Sequence, residues 1–447
     1  MGSLFGTDGA RGVANTELTC DIAYKLGQAA VTFLGKTIVV GKDTRLSGDM
    51  LENALNAGIM SLGGTVLQAG IIPTPGIAFL TRELCASGGV VISASHNPPE
   101  YNGIKFFDKD GFKLPDEVEA SLEAFVEEGG ALPDSLPSGD EVGVIVPVEN
   151  ACELYINHAI SVIQEEGMSF EGLKVALDTG HGAASLTTAS ALEALGAEVI
   201  VINDDFSGTD INVECGSTHL EPLKNLMAAT KAHIGIAHDG DADRVMFVDE
   251  LGNEIDGDVV EAVCALDLKR RNKLAGNTVV STVMCNLGFT KAMEKAGINV
   301  IQTQVGDRYV LQQLREGGYV LGGEQSGHMI FLEHNSTGDG LITACQFISA
   351  CLRNGGSVSE AAGVMQRFPQ ELINVEVSDK RAVESNEAVA QKIAEETKAL
   401  AGDGRILVRP SGTEPLVRVM VEAPSCEQAR EVAEAIAEVI RQELGKS

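Results

Sequence analysis

Tryptophan is absent and aromatic residues make up only 4% of the 447-residue chain, so a sugar-stacking platform would have to come from Tyr, Phe or His. Cations are scarce as well: 33 Lys and Arg stand against 64 Asp and Glu, a formal net charge of −31. Such a field argues against nucleic acid and anionic membrane as partners. It leaves room for a small phosphorylated substrate, because local cations override a global field, and it makes the position of each Arg and Lys informative. The nine cysteines are scattered singly, with no CxxC and no zinc-like Cys/His spacing. An odd count also argues against a full disulfide framework, and the pattern fits a reducing cytoplasm. No apolar run approaches the ~18 residues needed to span a bilayer. The opening MGSLFGTDGARG has no apolar signal region, and Gly6 stands where N-myristoylation needs Ser or Thr. No Walker A loop, G-x-G-x-x-G fingerprint or G-x-S-x-G elbow occurs, so nucleotide binding and Ser-His-Asp hydrolysis lack support. A soluble cytoplasmic protein is expected.

What is present is a repeat. A hydrophobic content of 44% is ordinary for globular domains, and the length suggests roughly three of them, with two to four allowed. GKTIVVGKDTR (35–45), GLKVALDTGHG (172–182) and GNTVVSTVMCN (276–286) are each a β-branched strand running into a polar turn. Each leads through a helical stretch to a second strand, a second helical stretch and a third strand. Three βαβαβ units of about 100 residues therefore follow one another. Each predicts a mixed, mainly parallel sheet covered by helices. Ligands in such sheets lie outside the carboxyl ends of strands, and in all three units an unusual polar motif follows the third strand. One shared cleft would explain this. A smaller α+β piece ends the chain: NVEV, then ILVRPSGTEPLVRVMVEA, then a helix from Ser425. Ser425 and Gln428 have capping-box spacing, and Val432, Ala433, Ile436, Val439 and Ile440 form one apolar face. The expected domains are 1–152, 153–252, 253–367 and 368–447.

The motifs carry chemistry. In VVISASHNPPEYNGIKFF (90–107) a core strand ends on Ser95, expected as an exposed hydroxyl, with Lys105 ten residues further on. DGDADR (239–244) offers Asp239, Asp241 and Asp243, three hard oxygen donors suited to Mg²⁺. An EF-hand fails here, because Arg244 occupies the glycine position and both flanks read as strands; a solvated acidic turn is the plainer alternative. RPSGTEPLVR (409–418) sets Ser411, Gly412 and Thr413 in a turn flanked by Arg409 and Arg418, a match for a phosphate dianion. The alternative is a hairpin with surface arginines. GGEQSGH (322–328) gathers Glu324, Ser326 and His328, where a carboxylate beside a hydroxyl can hold neighbouring sugar hydroxyls. GTDGARG (6–12) adds Thr7, Asp8 and Arg11; VGDRY places Asp307 and Arg308 after a strand, where a surface turn is the simpler reading. Together the set fits phosphoryl transfer through a serine.

ISASHNPPEYNG, DGDADR, GGEQSGH and RPSGTEP, in that order and spread over essentially the whole chain, resemble the four signatures of the α-D-phosphohexomutase superfamily. Ala10 departs from the isoleucine expected in GTDGIRG, leaving Arg11 in place. The resemblance implies a heart-shaped, four-domain monomer around one central cleft, with a homodimer left open. The GTDGARG opening, Gln325 and the RPSGTEPLVRVMVE ending are most similar to the branch acting on glucosamine phosphates. That branch interconverts glucosamine 6-phosphate and glucosamine 1-phosphate through a 1,6-bisphosphate, supplying UDP-N-acetylglucosamine and cell-wall synthesis. By the same match Ser95 is the phosphoserine, and Mg²⁺ is held by its phosphate with Asp239, Asp241 and Asp243. Lys105, with His96 and Arg11, would serve proton transfer and charge stabilisation. Glu324 and Ser326 would grip the sugar, and Arg244, Asp307, Arg308 and His328 would join them in binding the substrate. Arg409, Ser411, Gly412, Thr413 and Arg418 would bind the phosphate that is not transferred. A hexose 1,6-bisphosphate is implied as the activating phosphoryl donor. Phosphomannomutase or phosphoglucomutase activity, a phosphosugar phosphatase and a non-catalytic sugar-phosphate sensor are the alternatives.

Overall fold

The structure, a computed structural model, describes residues 4–6, 9–128, 135–411 and 415–445. Two compact units form: Met1–Met284 with Gly297–Val364, and Cys285–Ala296 with Met365–Ser447.

The first unit holds three sheets, of seven, five and four strands. One plan underlies all three. The first strand of each repeat (Thr37–Lys42, Lys174–Asp178, Thr278–Thr282) lies centrally, with the second (Thr65–Ile71, Glu198–Ile202, Asn299–Thr303) parallel on one side. The third strand (Gly88–Ile92, Ile234–His238, Leu321–Gly323) is parallel on the other side. Central strands buried on both faces are written in Val, Ile and Gly without alternation, which is why they stand out as short apolar runs. Beyond each third strand lies an antiparallel return strand: Tyr101–Asp108, Val245–Asp249 and Met329–Phe331. The polar motif of each repeat is thus the loop between third and return strands. Gly9–Val13 adds to the outer edge of Tyr101–Asp108, carrying Arg11 opposite Gly103.

The long helix Ala151–Glu165 is tied to the helices of the third repeat by charge. At its end, the Glu166 carboxylate receives Arg271 (2.8 Å), Lys273 (3.1 Å) and Arg353, while Asp267 takes Arg271 and Arg353 at 2.8 Å each. Burial alone would raise the Glu166 carboxyl, but hydrogen bonds from Arg271, Arg353 and Lys273 overcome it and hold the group at about 2. A carboxyl depressed by folding stabilises the protein above its unfolded value and loses that contribution as pH falls through the folded one. Glu166→Gln should therefore lower the urea midpoint at pH 7 by the equivalent of about 2 kcal/mol. The gap to the parent protein should stay constant above pH 4.5 and narrow as pH falls toward 2. A gap independent of pH would remove Glu166 from this role.

The second unit is an antiparallel sheet in the order Gln370–Glu376, Leu416–Glu422, Arg405–Pro410, covered by Glu387–Ala399 and Cys426–Leu444. The Ser425 side chain accepts from the Gln428 N–H at 3.2 Å. Val432, Ala433, Ile436 and Ile440 are buried against the sheet, with Val439 packed beside them. The helix Leu287–Lys295, which the sequence assigns to the third repeat, packs in this second unit.

Candidate active site

Three motif loops of the first unit converge. Strand Gly88–Ile92 runs out through Ser93, whose N–H still reaches the Gly103 carbonyl (2.9 Å). Ser95 then turns into the left-handed region, φ +52°. The expectation of an exposed hydroxyl does not hold: Ser95 is fully buried, because the acidic loop of the second repeat lies over it. Its Oγ donates to Asp239 Oδ2 at 2.6 Å and lies 3.4 Å from His96 Nδ1.

Asp239, Asp241 and Asp243 are all buried, with ligand-capable oxygens within 4.8 Å of one another. The loop closes on itself through the Ala242 N–H to the Asp239 carbonyl (3.0 Å), with Ala242 left-handed at φ +54°. Lys105, on the return strand and also buried, donates to Asp241 Oδ2 (2.8 Å) and Asp243 Oδ2 (3.3 Å). Thr74 Oγ1 donates to the same Asp241 oxygen at 2.6 Å, and among the described residues the buried Asp241 Oδ1 has no hydrogen-bond partner. Burial, then the charges of Asp243 and Asp241, push the Asp239 carboxyl well up. Mutually repelling buried carboxylates with an orphaned oxygen fit a divalent hard cation.

The sugar motif adjoins this loop. Arg244 and His328 form an antiparallel bridge, and the Val245 N–H reaches the Gly327 carbonyl (3.1 Å). Gly327 needs its missing side chain: at φ +91°, a Cβ would lie 2.2 Å from the Val245 carbonyl oxygen. Glu324 is half-buried and takes the Gly306 N–H on Oε1 (3.1 Å), while Ser326 is exposed. His328 is buried 3.6 Å from Asp307 Oδ2. Asp307 is ion-paired with Lys113. Arg308 turns away, to Asp116 and to Glu119 (2.9 Å) of the helix Asp116–Glu128. Arg244 Nη1 lies 3.1 Å from His96 Nδ1. Burial, then the guanidinium groups of Arg244 and Arg11, bring the His96 imidazole down to about 4, so it is neutral at pH 7.

In the second unit Arg409 and Arg418 face each other across the hairpin, and burial followed by the Arg418 charge lowers Arg409. Like charges directly opposite on a hairpin are destabilising without an anion between them. Ser411 is buried, its N–H on the Leu416 carbonyl (2.9 Å) and its own carbonyl accepting from Lys380 Nζ (2.6 Å). Gly412 and Thr413 fall outside the described residues, as do Thr7 and Asp8.

Sequence reasoning passed over Thr74, Lys113 and Lys380, which lie in no short motif. It also passed over Asp43 and Arg45, whose only signal is the polar turn GKDTR after the first strand. Among the described residues no helix is long and apolar enough to cross a membrane.

Models of the phosphoglucomutase/phosphomannomutase family match along the chain. The α/β/α domains I, II and III fall on residues 2–132, 153–252 and 256–368, and the C-terminal domain on 372–439. The phosphoglucosamine mutase of Carboxydothermus hydrogenoformans is 52% identical over 445 residues, 98% of this chain and 99% of that one. That of Desulforamulus reducens is 50% identical over 446 residues, with the same shares. A solved structure of a phosphoglucomutase/phosphomannomutase family protein from Burkholderia thailandensis has the same fold. Its TM-score is 0.81 at 24% identity, over 99% of both chains. Four family domains in order and relatives alike at half of all positions over nearly the full length place the chain: it belongs to the phosphoglucomutase/phosphomannomutase family of phosphohexomutases.

Proposed function

We propose that this chain is an isomerase that interconverts glucosamine 6-phosphate and glucosamine 1-phosphate, with Ser95 as its phosphoryl carrier. The observation that carries the reading is the Ser95 hydroxyl held 2.6 Å from Asp239 inside a buried tri-aspartate loop. Phosphorylated Ser95 gives its phosphoryl group to the free sugar hydroxyl: the P–O bond to Ser95 breaks and a P–O bond to the sugar forms. The hydroxyl proton passes to the neutral His96, or to Lys105 after its ammonium has given a proton to the departing Ser95 oxygen. The resulting 1,6-bisphosphate turns around, and its other phosphoryl group returns to Ser95. A hexose 1,6-bisphosphate would charge an unphosphorylated enzyme by the same step. Mg²⁺ would be held by Asp239, Asp241 and Asp243 with a phosphoserine oxygen, and would neutralise charge on the transferring group. Arg11 and Arg244 add positive charge beside His96. Glu324, Ser326, His328 and Asp307 would receive the sugar hydroxyls, whereas Arg308, tied to Asp116 and Glu119, would act on the substrate only by exchanging those partners. Arg409, Ser411, Gly412, Thr413 and Arg418 would hold the other phosphate. Division into 1–152, 153–252, 253–367 and 368–447 and a cytoplasmic location belong to the same reading.

The choice of glucosamine rests on the relatives. Gln325 supplies no separate support, since its amide reaches back to Asp256 Oδ2 (3.4 Å), the N-cap of Gly257–Arg270. The test is isomerisation of glucosamine 6-phosphate against glucose and mannose phosphates, with Mg²⁺ and with or without added bisphosphate. Highest kcat/KM on the amino sugar and stimulation by bisphosphate are expected. Stoichiometric release of inorganic phosphate would make the protein a phosphatase, and preference for glucose or mannose phosphate would reassign its substrate.

A further inference from the structure

We propose that Asn212, in the second repeat, is a positioning residue for the Ser95 hydroxyl, acting on its backbone in concert with Arg45; this rests on Ser95 being the phosphoryl carrier. A serine at φ +52° is strained and persists only where its surroundings over-determine it. Most of the restraint comes from the first repeat. Buried Arg45 donates from Nη2 to the carbonyls of Ser95 (2.9 Å) and Asn97 (2.7 Å), and from Nη1 to those of Tyr101 (3.0 Å) and Pro98. Arg45 is itself aimed by Asp43 (3.0 Å), which also accepts from Ser93 Oγ (2.6 Å); that hydroxyl in turn accepts from the Ser95 N–H (2.9 Å).

Asn212 repeats the grip from another repeat. Its Nδ2 donates to the same two carbonyls, Ser95 at 2.9 Å and Asn97 at 3.2 Å. Each of those oxygens therefore has one guanidinium and one amide donor, which fills both lone pairs. The side chain is aimed by its own backbone: Asn212 is left-handed at φ +61°, and its N–H bonds the Gly180 carbonyl (3.0 Å). Gly180 is held in turn by Asp178 Oδ1 (2.9 Å), at the end of the first strand of the second repeat. The acidic loop presses on the same carbonyl, for a Cβ at Gly240 would lie 2.8 Å from the Ser95 oxygen. Asn212 thus references the Ser95 turn to the repeat that carries the aspartates. The sub-ångström placement that phosphoryl transfer needs depends on that link.

The test uses the full chain charged with a hexose 1,6-bisphosphate. Asn212→Gly keeps the left-handed backbone and removes the amide; Asn212→Asp puts carboxylate oxygens against the two carbonyls. Expected for Asn212→Gly is a fall in kcat of about 10- to 100-fold with KM changed by less than about twofold. Thermal stability should change little, and the ³¹P resonance of phosphoserine 95 should shift. Asn212→Asp should lose more. An unchanged kcat, a change confined to KM, or an unmoved ³¹P resonance in Asn212→Gly would overturn the role, and with Ser95→Ala inactive it would overturn this role alone. Turnover by Ser95→Ala would overturn both this role and the phosphoryl carrier beneath it.

Discussion

Ser95→Ala should reduce isomerisation by at least about 10⁴-fold, the scale on which enzymes lose activity when a covalent nucleophile is removed. Alanine takes away one oxygen and changes little else. The left-handed backbone at position 95 is as strained for alanine as for serine, and the donors on the Ser95 carbonyl act on the main chain. Asp239 Oδ2 loses the hydrogen bond at 2.6 Å, a cost of about 1–3 kcal/mol if the oxygen stays buried and unpaired. A folded but inactive protein is therefore expected, still binding sugar phosphate through residues other than Ser95. The measurements are steady-state isomerisation, thermal unfolding and the mass of the intact protein after exposure to a hexose 1,6-bisphosphate, which should show one added phosphoryl group only in the parent. Near-normal isomerisation by Ser95→Ala would mean that the phosphoryl group travels by another route.

Much of this site could be read from the sequence because its parts are loops between strands. Apolar runs ending at Ile92 and at Ala237 stop abruptly on polar clusters, and the abruptness marks the motif. What could not be read was the return strand Tyr101–Asp108. Its residues from Asn102 to Phe107 are all buried, so alternation, the usual signature of a hairpin strand, is absent, and Asn102 and Lys105 interrupt the apolar run. Lys105 was visible as a residue, but its burial was not; that depends on carboxylates 136 and 138 residues away. The same limit hid Arg45, which looks like an ordinary turn arginine until four carbonyls of the 95–101 segment close around it. It also explains the misreading of Ser95 as exposed. Strand periodicity reports which residues leave the sheet, not which distant loop then covers them. The helix Leu287–Lys295 is a different case. Its pattern correctly gave a helix, but Asn286 and the Leu287 N–H at its start are bound by Glu422 at 3.0 and 3.1 Å, a pairing with no trace in local sequence.

Lys105→Met should have two separable effects, and their separation tests what the lysine does. In the folded protein Lys105 Nζ is the cation between Asp241 and Asp243, and all three side chains are nearly or wholly inaccessible. Removing one partner from a buried charge cluster costs roughly 3–5 kcal/mol, since the remaining carboxylates must protonate or stay uncompensated. With a chelator present, the variant should therefore melt well below the parent. Millimolar Mg²⁺ should restore much of the loss, with a larger shift than in the parent, because a ligand that binds only the folded state stabilises it by mass action. Catalysis should not recover in parallel. If Lys105 also hands its own proton to the departing Ser95 oxygen and takes the substrate's in exchange, kcat should stay about 10²- to 10⁴-fold down at saturating Mg²⁺ with KM little changed. Full recovery of kcat with Mg²⁺ would reduce Lys105 to a counter-ion, and an effect confined to KM would make it a binding group. If the melting temperature in chelator were unchanged, the carboxylates would not depend on the lysine, and the electrostatic account of the triad would fail with it.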